Sequence, residues 1–124
     1  MLRKLTLDEV QITYEVQPEE MISVEGHFAS DEPEKDREQE RLIVEAVNAG
    51  YVEAWCTLVV KASWQHWSAI DVLGGVSFDA GLSPEELKRQ VEQMIEGHGM
   101  KSEALDSLQK LLETDSRLLA QLAV

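Results

Sequence analysis

The chain has 124 residues, 44% of them hydrophobic, with 24 acidic against 11 basic side chains and a formal net charge of −13. A chain of this length can bury about two-thirds of the surface it exposes when unfolded, so one domain over residues 1–124 is expected and global disorder is not. The acidity argues against a conventional basic reader of nucleic acid, and the longest uncharged run, Ala62 to Ile70, is too short and too polar to cross a bilayer.

Val10, Ile12, Tyr14 and Val16 alternate with Gln11, Thr13, Glu15 and Gln17, the period of a half-buried strand that Pro18 ends. A short extended piece from Met21 to Phe28 should follow, with Gly26 at a turn or bulge. Ser30 and Asp31 offer an N-cap, Pro33 suits a first turn, and Glu34 completes a capping-box pattern with Asp31. The helix so opened runs to about Asn48, with Gly50 as its stop. Its first half carries nothing worth burying. Only Leu42, Ile43, Ala46 and Val47 can dock it.

Val52 to Trp64 reads as the strongest strand, with Ala54, Cys56, Leu58, Val60, Ala62 and Trp64 on one face. Gln65 to Ser68 reads as a loop, and Ile70 to Phe78 as an antiparallel return strand interrupted by Gly74 and Gly75. Ser83 caps a second helix whose stripe is Leu87, Val91, Met94 and Ile95, broken by Gly97 and Gly99. A last helix begins near Ser102 and carries leucines from Leu105 to Leu122. Asp115 falls on that stripe, so the helix should break near Thr114 or bury an acid against a partner. The order predicts an α+β fold: a small antiparallel sheet of three or four strands with three helices packed mainly on one face.

Candidate chemistry is sparse. No glycine-rich phosphate loop is present, and His27, His66 and His98 are not paired at ligand spacing. Cys56 is the only cysteine, so it cannot form an internal disulfide or build a thiolate metal site. It sits mid-strand on an apolar face, as a structural thiol does. Asp71 and Asp79, on either side of the glycine pair, read as strand-end residues rather than a catalytic carboxylate pair. No catalytic residue, metal site or cofactor is therefore expected.

Charge and aromatic residues point instead to binding. From Asp8 to Glu53, 14 acids face only Lys35, Arg37 and Arg41, a net −11 out of −13. Such a field attracts basic surfaces at rates that fall with salt. Within it, Glu34, Glu38 and Glu45 are the candidate partner-binding carboxylates. Trp55, Trp64 and Trp67 lie within thirteen positions. Trp64 reads as core and Trp55 as covered by a helix, which leaves Trp67, in a loop beside His66, as the candidate binding aromatic. Leu105, Leu108, Leu112, Leu119 and Leu122 offer a seam for a homodimer. No leader-like pattern of basic, apolar and small residues opens the sequence, so a cytoplasmic protein is expected.

The run Val24 to Asp31, then Asp36-Arg37-Glu38, Val52-Glu53-Ala54-Trp55-Cys56 and Asp71-Val72-Leu73-Gly74-Gly75-Val76-Ser77-Phe78 together resemble small acidic proteins of bacteriophages, prophages and plasmids. The resemblance covers roughly residues 22 to 80. Its most specific part is the tryptophan strand followed by the Leu-Gly-Gly-x-Ser-aromatic strand. The pattern often has cysteine where Val76 stands and an acidic cluster after the aromatic residue, of which only Asp79 remains here. It brings no assigned reaction. It implies a protein of a mobile element, acting in the host cytoplasm by binding a host or defence protein. The combined expectation is a non-enzymatic counter-defence inhibitor whose acidic face occupies a basic, nucleic-acid-binding surface, without touching nucleic acid or membrane itself. A small-ligand binder using the Trp64–Trp67 loop, or a homodimeric accessory protein, are the alternatives.

Overall fold

The computed structural model describes residues 3–19 and 30–122, with side chains to 115. The extended piece expected from Met21 to Phe28, with His27, lies outside the described residues. Three strands, β1 (Gln11–Pro18), β2 (Cys56–Trp64) and β3 (Trp67–Val76), form an antiparallel sheet in the order β1-β2-β3. Three helices, α1 (Pro33–Asn48), α2 (Pro84–Gly97) and α3 (Met100–Leu122), complete a small α+β fold. Among the described residues no helix is long and apolar enough to cross a membrane.

Two departures in the hairpin have local causes. Val52–Ala54 is a single 3-10 turn, so β2 begins at Cys56 rather than Val52. Beyond Trp64 the connection is not a four-residue loop but the two-residue turn Gln65-His66, with Gln65 at φ 54°. Two-residue turns with a left-handed first residue match the twist of paired strands, so Trp67 enters β3 directly. The backbone N–H of Phe78 donates to the Glu53 carbonyl at 2.8 Å, extending the same pairing register past Val76.

The chain divides into two compact units. The first comprises Met1–Glu15, Val59–Val72 and Met94–Val124. Its buried side chains include Val60, Ala62, Ile95, Met100, Ala104, Leu108 and Leu112. The buried Gln109 accepts a hydrogen bond from the Leu5 N–H at 2.9 Å and donates to the Arg3 carbonyl at 3.3 Å, which ties the N-terminal segment to α3. Gly99, at φ +61°, separates the helices, so α3 starts at Met100, two residues earlier than expected. Leu108 and Leu112 are core, and Leu105 is half-buried. Two of the five proposed seam leucines are thus spent inside their own chain, while Leu119 and Leu122 lie beyond the described side chains. On β3, Ile70 and Val72 are 52% and 51% exposed.

The second unit comprises Val16–Leu58 and Leu73–Gln93. Here Ile43 of α1 packs with Trp55 and half-buried Val47. Trp55 is 1% exposed, covered by a helix as expected, and it rather than Trp64 is the tryptophan of the core. The α1 cap differs from expectation. Glu32 occupies the N-cap without a side-chain bond, Pro33 is the first helical residue, and Asp36 reaches back to accept from the Ser30 N–H and hydroxyl, both at 2.8 Å. Asp36 therefore takes the reach-back role expected of Glu34, while the N-cap itself makes no side-chain bond. The first half of α1 stands in solvent, with only Asp36 and Glu40 partly covered up to that point. Leu42, expected to dock, is 47% exposed. The α2 cap is as read from sequence: the Ser83 hydroxyl accepts from the Glu86 N–H at 3.2 Å.

Candidate functional site

At about 100° per residue, Glu34, Glu38 and Glu45 fall within roughly 40° of one another on α1, on the side away from Ile43. All three are exposed. Arg41 stands between the latter two and bridges both, its Nε reaching Glu38 at 3.0 Å and its terminal nitrogens reaching Glu38 and Glu45. The guanidinium hydrogen bond holds the Glu38 carboxyl below the usual carboxylate range. Lys35 pairs with Glu32 at 2.8 Å, outside the stripe. The stripe thus exists as one surface, but one cation serves two of its carboxylates. Exposed pairs of this kind are screened by water and add little to stability; what Arg41 contributes is orientation.

The aromatic candidates sit differently. His66 is exposed and stacks on Trp67, with centroids 3.8 Å apart, and Trp64 stacks on Trp67 at 6.0 Å. Trp67 is half-buried, and its indole N–H donates to Asp115 Oδ2 at 2.8 Å. That bond explains why an acid can lie on the leucine stripe of α3 without breaking the helix. Trp67 is a strand residue tied to α3, rather than a free loop aromatic. All the residues of this cluster belong to the first unit, whereas the acidic stripe belongs to the second.

In the second unit a cleft of about 490 Å³ opens beside the stripe. Leu42, Ala46 and Gln39 of α1 form one wall, Tyr51, Ser77, Asp79 and Ala80 the other, and the buried Ile43, Ala54 and Phe78 the floor. Glu45 belongs to both the stripe and the cleft wall. Asp79, on the far lip, is exposed and makes no side-chain hydrogen bond or ion pair with any described residue. Sequence reasoning missed Leu42, Tyr51 and the cleft itself. The available signal was angular: Leu42 stands about 100° from Ile43, too far round α1 to share its contact.

The remaining chemistry is structural. Cys56 is fully buried, its thiol faces the Val76 carbonyl at 3.4 Å, and burial pushes its pKa up to about 11. The half-buried Glu19 carboxylate accepts from the Thr57 hydroxyl and from the Gly75 N–H at 3.2 Å. A Cβ at Gly74 would stand 2.9 Å from Glu19 Oε2, so a larger residue there requires that carboxylate to move. Asp71 is half-buried within β3 and Asp79 lies beyond its end. Among the described residues no three metal-ligating side chains converge. No family model, curated protein or solved structure matches this chain.

Proposed function

We propose that this chain is a non-catalytic protein-interaction module of a mobile element, acting in the host cytoplasm as a counter-defence inhibitor. Its acidic surface occupies a basic, nucleic-acid-binding site on a host protein. The observation that supports it most directly is the Glu34, Glu38 and Glu45 stripe on the side of α1 away from Ile43, with Arg41 fixing two of the carboxylates in place. Fixed carboxylates meet arginine or lysine side chains with less ordering cost than mobile ones. The excess of 24 acids over 11 bases adds long-range attraction for a basic partner and repels nucleic acid and anionic membranes. No cofactor, metal or nucleic acid takes part. The function does not require a homodimer through α3, two of whose seam leucines, Leu108 and Leu112, are buried in their own chain. Trp67 and His66 form a second candidate contact in the first unit: the indole N–H is engaged by Asp115, and the exposed imidazole stacked on the ring is what they offer a partner.

The test is retention of nuclease-treated host-lysate proteins on the immobilised chain. Retention at low salt, loss at high salt and displacement by added duplex DNA are expected. The triple reversal Glu34→Lys, Glu38→Lys, Glu45→Lys takes the net charge from −13 to −7 (three changes of two units) and should abolish retention. Retention that survives the reversal, or that DNA does not displace, refutes the function.

A further inference from the structure

The cleft beside the stripe combines two properties that an acidic surface does not need for solubility. Its wall leaves Leu42 47% and Tyr51 41% exposed, next to one another across an opening with an apolar floor. Single exposed apolar residues are ordinary, but a pair flanking a cleft is not, and a cleft whose volume falls in the small-molecule range of roughly 300–1,000 Å³ has room for one bulky side chain. Its rim is acidic on both sides. Glu45 stands on the α1 lip and Asp79 on the opposite one, and among the described residues no lysine or arginine lines the cleft. Arg41 is shared between Glu38 and Glu45, so it does not neutralise both, and Asp79 has no cation at all among the described residues. The last turn of α1 carries no basic residue either, so the negative end of the helix dipole adds to the same side.

We infer that this cleft is a docking groove for a basic protein segment: one aromatic or aliphatic anchor enters between Leu42, Tyr51 and Phe78, and flanking lysines or arginines reach Glu45 and Asp79. Charge selects this occupant. An anionic ligand would meet two carboxylates, and a second copy of this chain would bring another 13 negative charges. The anchor supplies what the stripe lacks, because rim charges mainly steer encounter whereas a buried apolar anchor sets the dissociation rate. The groove rests on the acidic-surface function proposed above and names the feature its partner must carry.

The probes are three synthetic pentapeptides titrated into the isotope-labelled full chain by amide NMR: tryptophan between two lysine pairs, the same with alanine in place of tryptophan, and tryptophan between two glutamate pairs. The lysine–tryptophan peptide should shift the amides of Ala46, Tyr51 and Ala80. The alanine-centred peptide should bind about tenfold more weakly, and the glutamate peptide not at all. Leu42→Ser should weaken the first peptide about tenfold and Asp79→Lys about three- to tenfold. Both positions are exposed, so neither variant threatens the fold. Equal binding of the tryptophan and alanine peptides, no binding by either, or indifference to Leu42→Ser, overturns the groove. Lysate retention separates the two failures. Loss on stripe reversal but not on Leu42→Ser leaves the acidic surface standing without the groove, whereas retention indifferent to the reversal removes the surface function itself.

Discussion

Cutting the bond between Trp67 and Asp115 tests whether this tryptophan is a structural tie. The indole N–H donates to a carboxylate oxygen at 2.8 Å, and both residues are half-buried. Hydrogen bonds to charged acceptors add about 1.5–3 kcal/mol when shielded. With water competing for the exposed part, about 1 kcal/mol is expected here, or roughly 3–6 °C in Tm for a chain of this size. Asp115→Ala alone understates the effect, because alanine favours the interior of α3 by up to about 0.7 kcal/mol. The clean quantity is therefore the coupling in a cycle of Asp115→Ala, Trp67→Phe and the double variant, measured by urea unfolding followed by far-ultraviolet circular dichroism. A coupling near 1 kcal/mol with unchanged m-values is expected. Asp115→Asn, which keeps an acceptor oxygen, should lose less than Asp115→Ala after allowing for propensity. A coupling below about 0.3 kcal/mol would refute the tie and return Trp67 to the pool of binding residues.

Two further perturbations probe the second unit. Gly74→Ala should drive the Glu19 carboxylate off Thr57 and the Gly75 N–H, at about 1–2 kcal/mol, and should cost much less in a Glu19→Ala background; equal costs in both would show that the glycine serves something else. The Cys56 thiol titrates near 11 when folded, against about 9 when free, so the unfolded chain ionises first. Its contribution is complete below pH 9 and fades as pH rises from there to about 11, by at most about 3 kcal/mol in total. Urea unfolding at pH 8, 10 and 11 should show this alkaline loss in the parent chain and not in Cys56→Ala. Parallel pH profiles would contradict the assignment.

Local periodicity alone determined the elements: the alternation of Ile12, Tyr14 and Val16, the buried face of Cys56, Leu58, Val60 and Ala62, the Ser83 cap and the glycine break before α3. Each depends on residues a few positions apart, and burial of one face suffices to select them. The exposed stretch at the start of α1 was legible for the same reason, since residues 31 to 41 offer nothing apolar to bury. What required the tertiary structure were the partners brought from far along the chain. Asp115 meets Trp67 across 48 positions and Glu19 meets Thr57 across 38, and no window of sequence contains either pair. The turn at Gln65-His66 moved Trp67 from loop to strand, because pairing register is fixed by the hairpin and not by the propensity of either segment. The cleft beside α1 belongs to this second class: Leu42 and Asp79 are ordinary residues in sequence, and only the return of the chain past α1 sets an apolar wall opposite a carboxylate.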